Sequence, residues 1–265
     1  MNASSPVVIA IPHGSIAIPP SLEGKFRPHV TGGFLRAQSD VFTDQVYALP
    51  MARWVAAEWH RFVTDPNRAP NDLRALGVVP TLGFDGRELY TERHRPSLAA
   101  IRQRVADYHE PYQRSVAKAV EGASVFIDGH SMAATGPASS LDSEQRRPEA
   151  CVGNCGDGQG QPLPDDIITC APEDLRWAGE RLGHHLTAFI GGHRPVDVGI
   201  NRPFRGGYGV RRHAAPGSGR AGIQLELNQG LWWNEEDGLD VDALDRVRGA
   251  LNAWVEDLST HCWKQ

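Results

Sequence analysis

The chain reads as an α/β protein, a three-layer helix-sheet-helix arrangement around a mostly parallel, mixed central sheet. Three observations predict this. The runs Pro6–Pro12 and Ser124–Ser131 hold consecutive apolar residues without alternation, which fits strands buried on both faces under covering helices. Three long amphipathic segments, Pro96–Val120, Ala171–Ile190 and Asp240–Leu258, supply helices for those layers. Each apolar run also ends in a histidine, as His13-Gly14-Ser15 and as Asp128-Gly129-His130. Ligands of open α/β sheets bind beyond the carboxyl ends of the strands, so two histidines delivered there converge on one crevice.

At 265 residues the chain is within the range of one large domain, and one domain over 1–265 is expected. With 40% hydrophobic and 22% charged residues it has the material for a packed core. A formal charge of −5 argues against a nucleic-acid or anionic-membrane partner. No apolar stretch approaches the length of a membrane span, and the first residues enter a strand-like run without a basic-then-apolar leader. The expected location is therefore cytoplasmic. Cys151, Cys155, Cys170 and Cys262 are read as reduced thiols. Cys151 and Cys155 have nearly a metal-binding spacing, but no second Cys/His pair of zinc-finger spacing follows.

After the first strand, Ile16–Lys25 holds two prolines and reads as a loop. Ser39-Asp40 looks like a helix start, followed by the apolar Val41, Val46, Leu49, Trp54 and Val55. Asp40 and Asp44 then share one helix face, where first-turn acids suit the helix dipole and could also ligate a metal. Arg61–Thr64 reads as a short strand leading into Asp65-Pro66-Asn67-Arg68-Ala69-Pro70, whose prolines hold Asn67 and Arg68 in an extended or turn segment. An Arg fork with an adjacent amide suits a carboxylate. In Pro96–Val120 a kink is expected at Pro111, with His94 and His109 at the surface or an interface. Ala133–Asp165 is irregular and, at that length, reads as a functional loop beside the site. Gly191-Gly192 closes the next helix. Val196–Ile200 reads as a strand, followed by the arginine- and glycine-rich Asn201–Gly209 and by Arg211. Gly222–Leu227 reads as the last strand, with Gln224 and Glu226 on one face. A carboxylate between two leucines on a core strand needs a reason, either a buried partner or a role as a base.

His13, His130 and one carboxylate, Asp40 or Asp44 with Asp40 preferred, make a three-ligand set suited to catalytic zinc with an open position for water. Zinc, cobalt and manganese can share such ligands. Glu226 would serve as general base, and Arg68 with Arg202, Arg205 or Arg211 would hold substrate carboxylates. There is no Gly-x-Ser-x-Gly elbow and no phosphate-binding Gly-rich loop with Lys-Ser/Thr, which argues against a serine hydrolase and a nucleotide enzyme.

The segments Ile11–Ser15, Ser39–Asp44, Asp65–Pro70, Val78–Thr81, Tyr108–Tyr112, Asp128–Ser131, Phe204–Tyr208 and Ile223–Leu227 lie in the order found in the N-formylglutamate amidohydrolase family, which the chain resembles. That family is similar in fold and metal site to zinc carboxypeptidases and aspartoacylase. The resemblance implies a phosphorylase/hydrolase-like fold and a zinc-dependent deformylase that releases formate and glutamate, a late step of histidine breakdown. It implies Asn67 and Arg68 as the substrate-carboxylate pair, Glu226 as the base, and a small acidic N-acyl amino acid as substrate; Arg202, Arg205 and Tyr208 are the further substrate contacts expected. Two departures stand out. Ile16 occupies the position three after His13 where carboxypeptidases place their carboxylate ligand, and the Cys151–Cys155 insert is added near the pocket. The rival readings are a deacylase or peptidase for another N-acyl amino acid, and a non-catalytic binder of an acidic metabolite.

Overall fold

Val7–Ile11 (β1) contains no polar side chain, and none of its residues is more than 2% exposed. The structure, a computed structural model, describes residues 5–137, 140, 142–164, 166–191, 194–234 and 236–264. Five further strands join β1 in one sheet: Arg53–Ala56 (β2), Val125–Met132 (β3), Ala150–Gly153 (β4), Val198–Ile200 (β5) and Ala221–Asn228 (β6). Their order is β2-β1-β3-β6-β4-β5. The first four run parallel, β4 lies antiparallel to β6, and β5 is parallel to β4. The sheet is thus mostly parallel and mixed.

The helices are Gly32–Ala37 (α1), Thr43–Val46 (α2), Leu98–Arg104 (α3), Glu110–Ala119 (α4), Pro172–Ile190 (α5), Tyr208–His213 (α6) and Val241–Thr260 (α7). Successive strand side chains point to opposite faces, and each helix layer takes one set. Val7, Ile9, Ile11, Val125, Ile127, Ile223, Leu225 and Leu227 pack with Leu182, Leu186, Val247, Leu251 and Trp254 of α5 and α7. Val8, Ala10 and Phe126 pack the other way, against Val116 of α4 and Val210 of α6. Asp240 caps α7 by accepting the Ala243 N–H at 2.9 Å.

Several segments differ from the expectation. The helix expected from Ser39 to Val55 is only the four-residue α2, with Phe42 before it in a left-handed conformation (φ 60°). Trp54 and Val55 lie in β2, so the apolar spacing that imitated a helix belongs to a turn and a half-buried strand. Arg61–Thr64 is a turn and not a strand. Ala150–Gly153, inside the segment read as irregular, is a fully buried strand beside β6. The bend in the third helical region is a π-helical turn, Val105–His109, with Pro111 in the first turn of α4 where its missing N–H costs nothing. His109 is buried there, not at the surface. Gly191 ends α5 with φ 69°, while Gly192 and Asp165 lie outside the described residues. No described helix is long and apolar enough to cross a membrane.

Candidate metal centre and active site

The sheet's carboxyl edge assembles the site. His13 follows β1 directly, and the chain returns to it at Asp40, whose N–H donates to the His13 carbonyl at 3.0 Å. The Asp40 carbonyl accepts from Thr43 Oγ1 at 2.8 Å, which anchors the start of α2. β3 pairs with β1 and brings His130 alongside, with the two imidazole centroids 4.9 Å apart. Asp40 Oδ2 lies 2.9 Å from His130 Nδ1 and 3.4 Å from His13 Nδ1. The ligand atoms of His13, Asp40 and His130 all fall within 4.8 Å of one another, and all three residues are buried. Among the described residues this is the one group of three or more metal-capable side chains with such spacing. Asp44 does not join it. It is exposed in α2 and lines a separate cavity of about 420 Å³ with Gly14, Ser15 and Arg36. The helix-face argument placed the two acids together because it assumed a helix that starts three residues too early.

The chemistry of this donor set fits a divalent transition metal. Both Nδ1 atoms face Asp40, and His13 Nδ1 is buried with no hydrogen-bond partner. The far edges of the rings are held from outside. Asp65 Oδ1 lies 2.8 Å from His13 Nε2, and Asp128 Oδ1 lies 3.4 Å from His130 Nε2. Carboxylates behind ligating histidines fix ring orientation and raise ligand basicity. Arg61 in turn holds Asp65, donating from Nε and Nη2 at 3.1 and 2.5 Å. Burial would raise the Asp40 carboxyl, but His13 and His130 outweigh it and hold the group well below the usual carboxylate range. For Asp65 the opposition of Arg61 and His13 to burial has the same result. Burial would depress His130, yet Asp128, Asp40 and Glu226 together push it well above the ordinary histidine range.

The β3–β6 register sets Glu226 directly beside His130. Its carboxyl accepts from Gln224 Nε2 at 2.9 Å and is 6% exposed. Burial pushes it up to about 8, with Asp40 and Asp128 adding to the push and His130 and Arg147 opposing it. No arginine hydrogen-bonds it among the described residues, so a locked structural ion pair does not explain the residue.

The expected substrate contacts are more scattered. Asn67 is buried and its amide is already engaged: Gly209 N–H donates to Oδ1 at 2.7 Å, and Nδ2 lies 2.9 Å from His130 Nε2. Arg68 is partly exposed and donates from Nε to the Leu76 carbonyl at 3.2 Å. Arg202 and Arg205 are exposed, and Arg211 is paired with Asp166. Tyr208 opens α6, its hydroxyl accepting from Arg212 Nη1 at 3.0 Å. Asp65, Asp128 and Arg61, which hold the histidines from behind, escaped the sequence reading as site residues. Asp65 sat in a flagged motif, but an Asp before Pro is already explained as a turn residue. Cys151 and Cys155 are buried free thiols in and after β4.

Fold and site together define a three-layer α/β protein with a His–Asp–His centre and a buried glutamate at the carboxyl edge of its sheet. The chain belongs to the N-formylglutamate amidohydrolase family, whose model matches residues 5–233. It is similar to the N-formylglutamate deformylase of Pseudomonas aeruginosa, at 25% identity over 276 residues covering 96% of this chain and 92% of that one. Among solved structures it resembles N-formylglutamate amidohydrolase from Ralstonia eutropha, with a TM-score of 0.73 at 20% identity, covering 96% of this chain and 93% of the other. A gene product of Agrobacterium tumefaciens has a TM-score of 0.64 at 18% identity, with 97% and 92% covered. These two likenesses bear on the fold.

Proposed function

We propose that the protein is a metal-dependent amidohydrolase that cleaves N-formyl-L-glutamate to formate and L-glutamate in the cytoplasm, as a step of histidine breakdown. The observation that carries the reading is Glu226 standing beside His130 in adjacent strands, next to the His13–Asp40–His130 cluster. His13, Asp40 and His130 would hold the ion, with zinc the expected metal. When bound, that ion supplies a Lewis acid and lowers the pKa of a water to about 7. Glu226 takes the proton of the attacking water and later delivers it to the leaving amine nitrogen. Burial raises this carboxyl, which suits delivery of the proton to the amine, while the charge of a bound ion would favour the ionised form that takes it. Asp65 and Asp128 keep the two imidazoles turned toward Asp40. Arginines around the crevice hold the substrate carboxylates.

Formate release from N-formyl-L-glutamate, measured before and after treatment with a chelator and again after zinc is restored, tests the proposal. Loss on chelation and recovery with zinc are expected. Equal rates in all three samples would refute the metal-dependent part, and no release in any would refute the activity.

A further inference from the structure

Between β3 and β4 the chain leaves the sheet over residues 133–149. Because β6 lies between those two strands, both ends of this connection lie beside the carboxyl end of β6, where Glu226 and Asn228 sit. Its base is closed by the Arg147 N–H on the Ala134 carbonyl and by the Asn228 N–H on the Glu149 carbonyl, both at 2.9 Å. Arg147 therefore sits close to the carboxyl end of β6, and it is only 6% exposed. Its Nε and Nη2 donate to the two oxygens of Asp142 at 2.6 and 3.0 Å, and its guanidinium lies 5.0 Å from the Phe204 ring centroid. Nη1 makes no hydrogen bond to the described residues. The Arg147 charge reaches Glu226, where it opposes the upward push of burial.

A buried arginine held by one edge, with no hydrogen bond from its Nη1 to the described residues, is prepared for a second carboxylate. Arg202 and Arg205 are exposed, so a ligand using them must order two long side chains, at an entropic cost that Arg147 has already met within the fold. Arg61 is committed to Asp65, and Arg211 to Asp166.

Resting on the amidohydrolase reading above, we propose that Arg147 receives one carboxylate of the acidic substrate on its Nη1 edge and thereby sets the preference for a dicarboxylate. Asp142 and Phe204 act as positioning residues that hold the guanidinium plane.

The test compares the full-length wild-type protein with Arg147→Met on N-formyl-L-glutamate, on N-formyl-L-glutamine, which lacks the side-chain carboxylate, and on 4-formamidobutanoate, which lacks the α-carboxylate. Arg147→Met should lower kcat/KM for N-formyl-L-glutamate by about 10²-fold, mainly through KM. On one of the two analogues, the one missing the carboxylate that Arg147 holds, the penalty should shrink to about threefold or less. An equal penalty on all three substrates overturns the proposal. So does a shifted pH profile with KM unchanged, which would mean that Arg147 acts only through Glu226. Arg147→Lys keeps the charge without the fork and should show the same substrate pattern at about tenfold, should the methionine variant fail to fold. If the wild type releases no formate from any of the three, the amidohydrolase reading fails by itself. Calorimetric binding of L-glutamate against L-glutamine and against 4-aminobutanoate then decides the role of Arg147: a preference for glutamate over one of the two that Arg147→Met abolishes supports it, and no such loss overturns it.

Discussion

The two faces of one sheet carry opposite assignments. Toward α5 and α7, β3 and β6 present Val125, Ile127, Ile223, Leu225 and Leu227, all within a dry core. Toward α4 and α6, the same strands present Asp128, His130, Gln224 and Glu226, every one of them buried. Successive residues of a strand are only about 3.3 Å apart, so a rigid apolar layer lies immediately behind each reactive side chain. The dry face supplies the folding energy, and the polar face holds charges close together that would not assemble without it. This separation predicts that damage to the two faces shows up in different measurements.

The largest effect is expected on the polar face. Glu226→Gln keeps the shape and can still accept from Gln224, so the protein should fold as well as the wild type. Its rate of formate release should fall roughly 10²–10⁴-fold. A smaller loss would assign the proton transfers elsewhere. On the dry face Leu225, 1% exposed, is the neighbour of Gln224 and Glu226 in sequence and points away from them. Leu225→Ala should cost about 2–5 kcal/mol in chemical denaturation, while the folded fraction keeps a near-wild-type turnover. If turnover per folded molecule collapses as well, the faces are not separate.

A smaller effect sharpens the contrast in the region that supports the site. His60 donates from Nε2 to the Leu35 carbonyl and accepts the Phe62 N–H on Nδ1, both at 3.0 Å, an arrangement that only the neutral ring satisfies. Burial, with help from Arg61, lowers its pKa from 6.5 to about 3. The unfolded chain therefore binds the proton first as pH falls through 6.5, and stability drops from there down to about pH 3. Between pH 6.5 and 5 this group alone should contribute about 2 kcal/mol of lost stability. In His60→Asn, denaturation across that window should depend less steeply on pH; an unchanged slope would remove His60 as the cause.

The legibility of the chain follows the same division. β1, β3 and β6 were readable because their apolar residues are uninterrupted or strictly alternate, and the histidines at their ends follow from sheet geometry. β2 was hidden because Trp54 and Val55, half-buried at the sheet edge, continue a spacing that also fits a helix. β4 was hidden because four residues among glycines, prolines and serines carry too little periodicity, although the strand lies in the interior of the sheet. The choice of Asp40 over Asp44 depends on the backbone bond from Asp40 to His13, a contact across 27 positions that no local spacing records. Asp65 was missed for a similar reason. It has a sufficient local explanation as a turn residue, and its partner His13 lies 52 positions away in sequence.

The metal content of purified Asp40→Asn and Asp44→Asn proteins, after dialysis against a weak chelator, tests the centre most directly. About one transition-metal ion per chain should stay with the wild type and with Asp44→Asn, and almost none with Asp40→Asn. Retention by Asp40→Asn together with loss from Asp44→Asn would contradict the assembly of His13, Asp40 and His130 around a single cation.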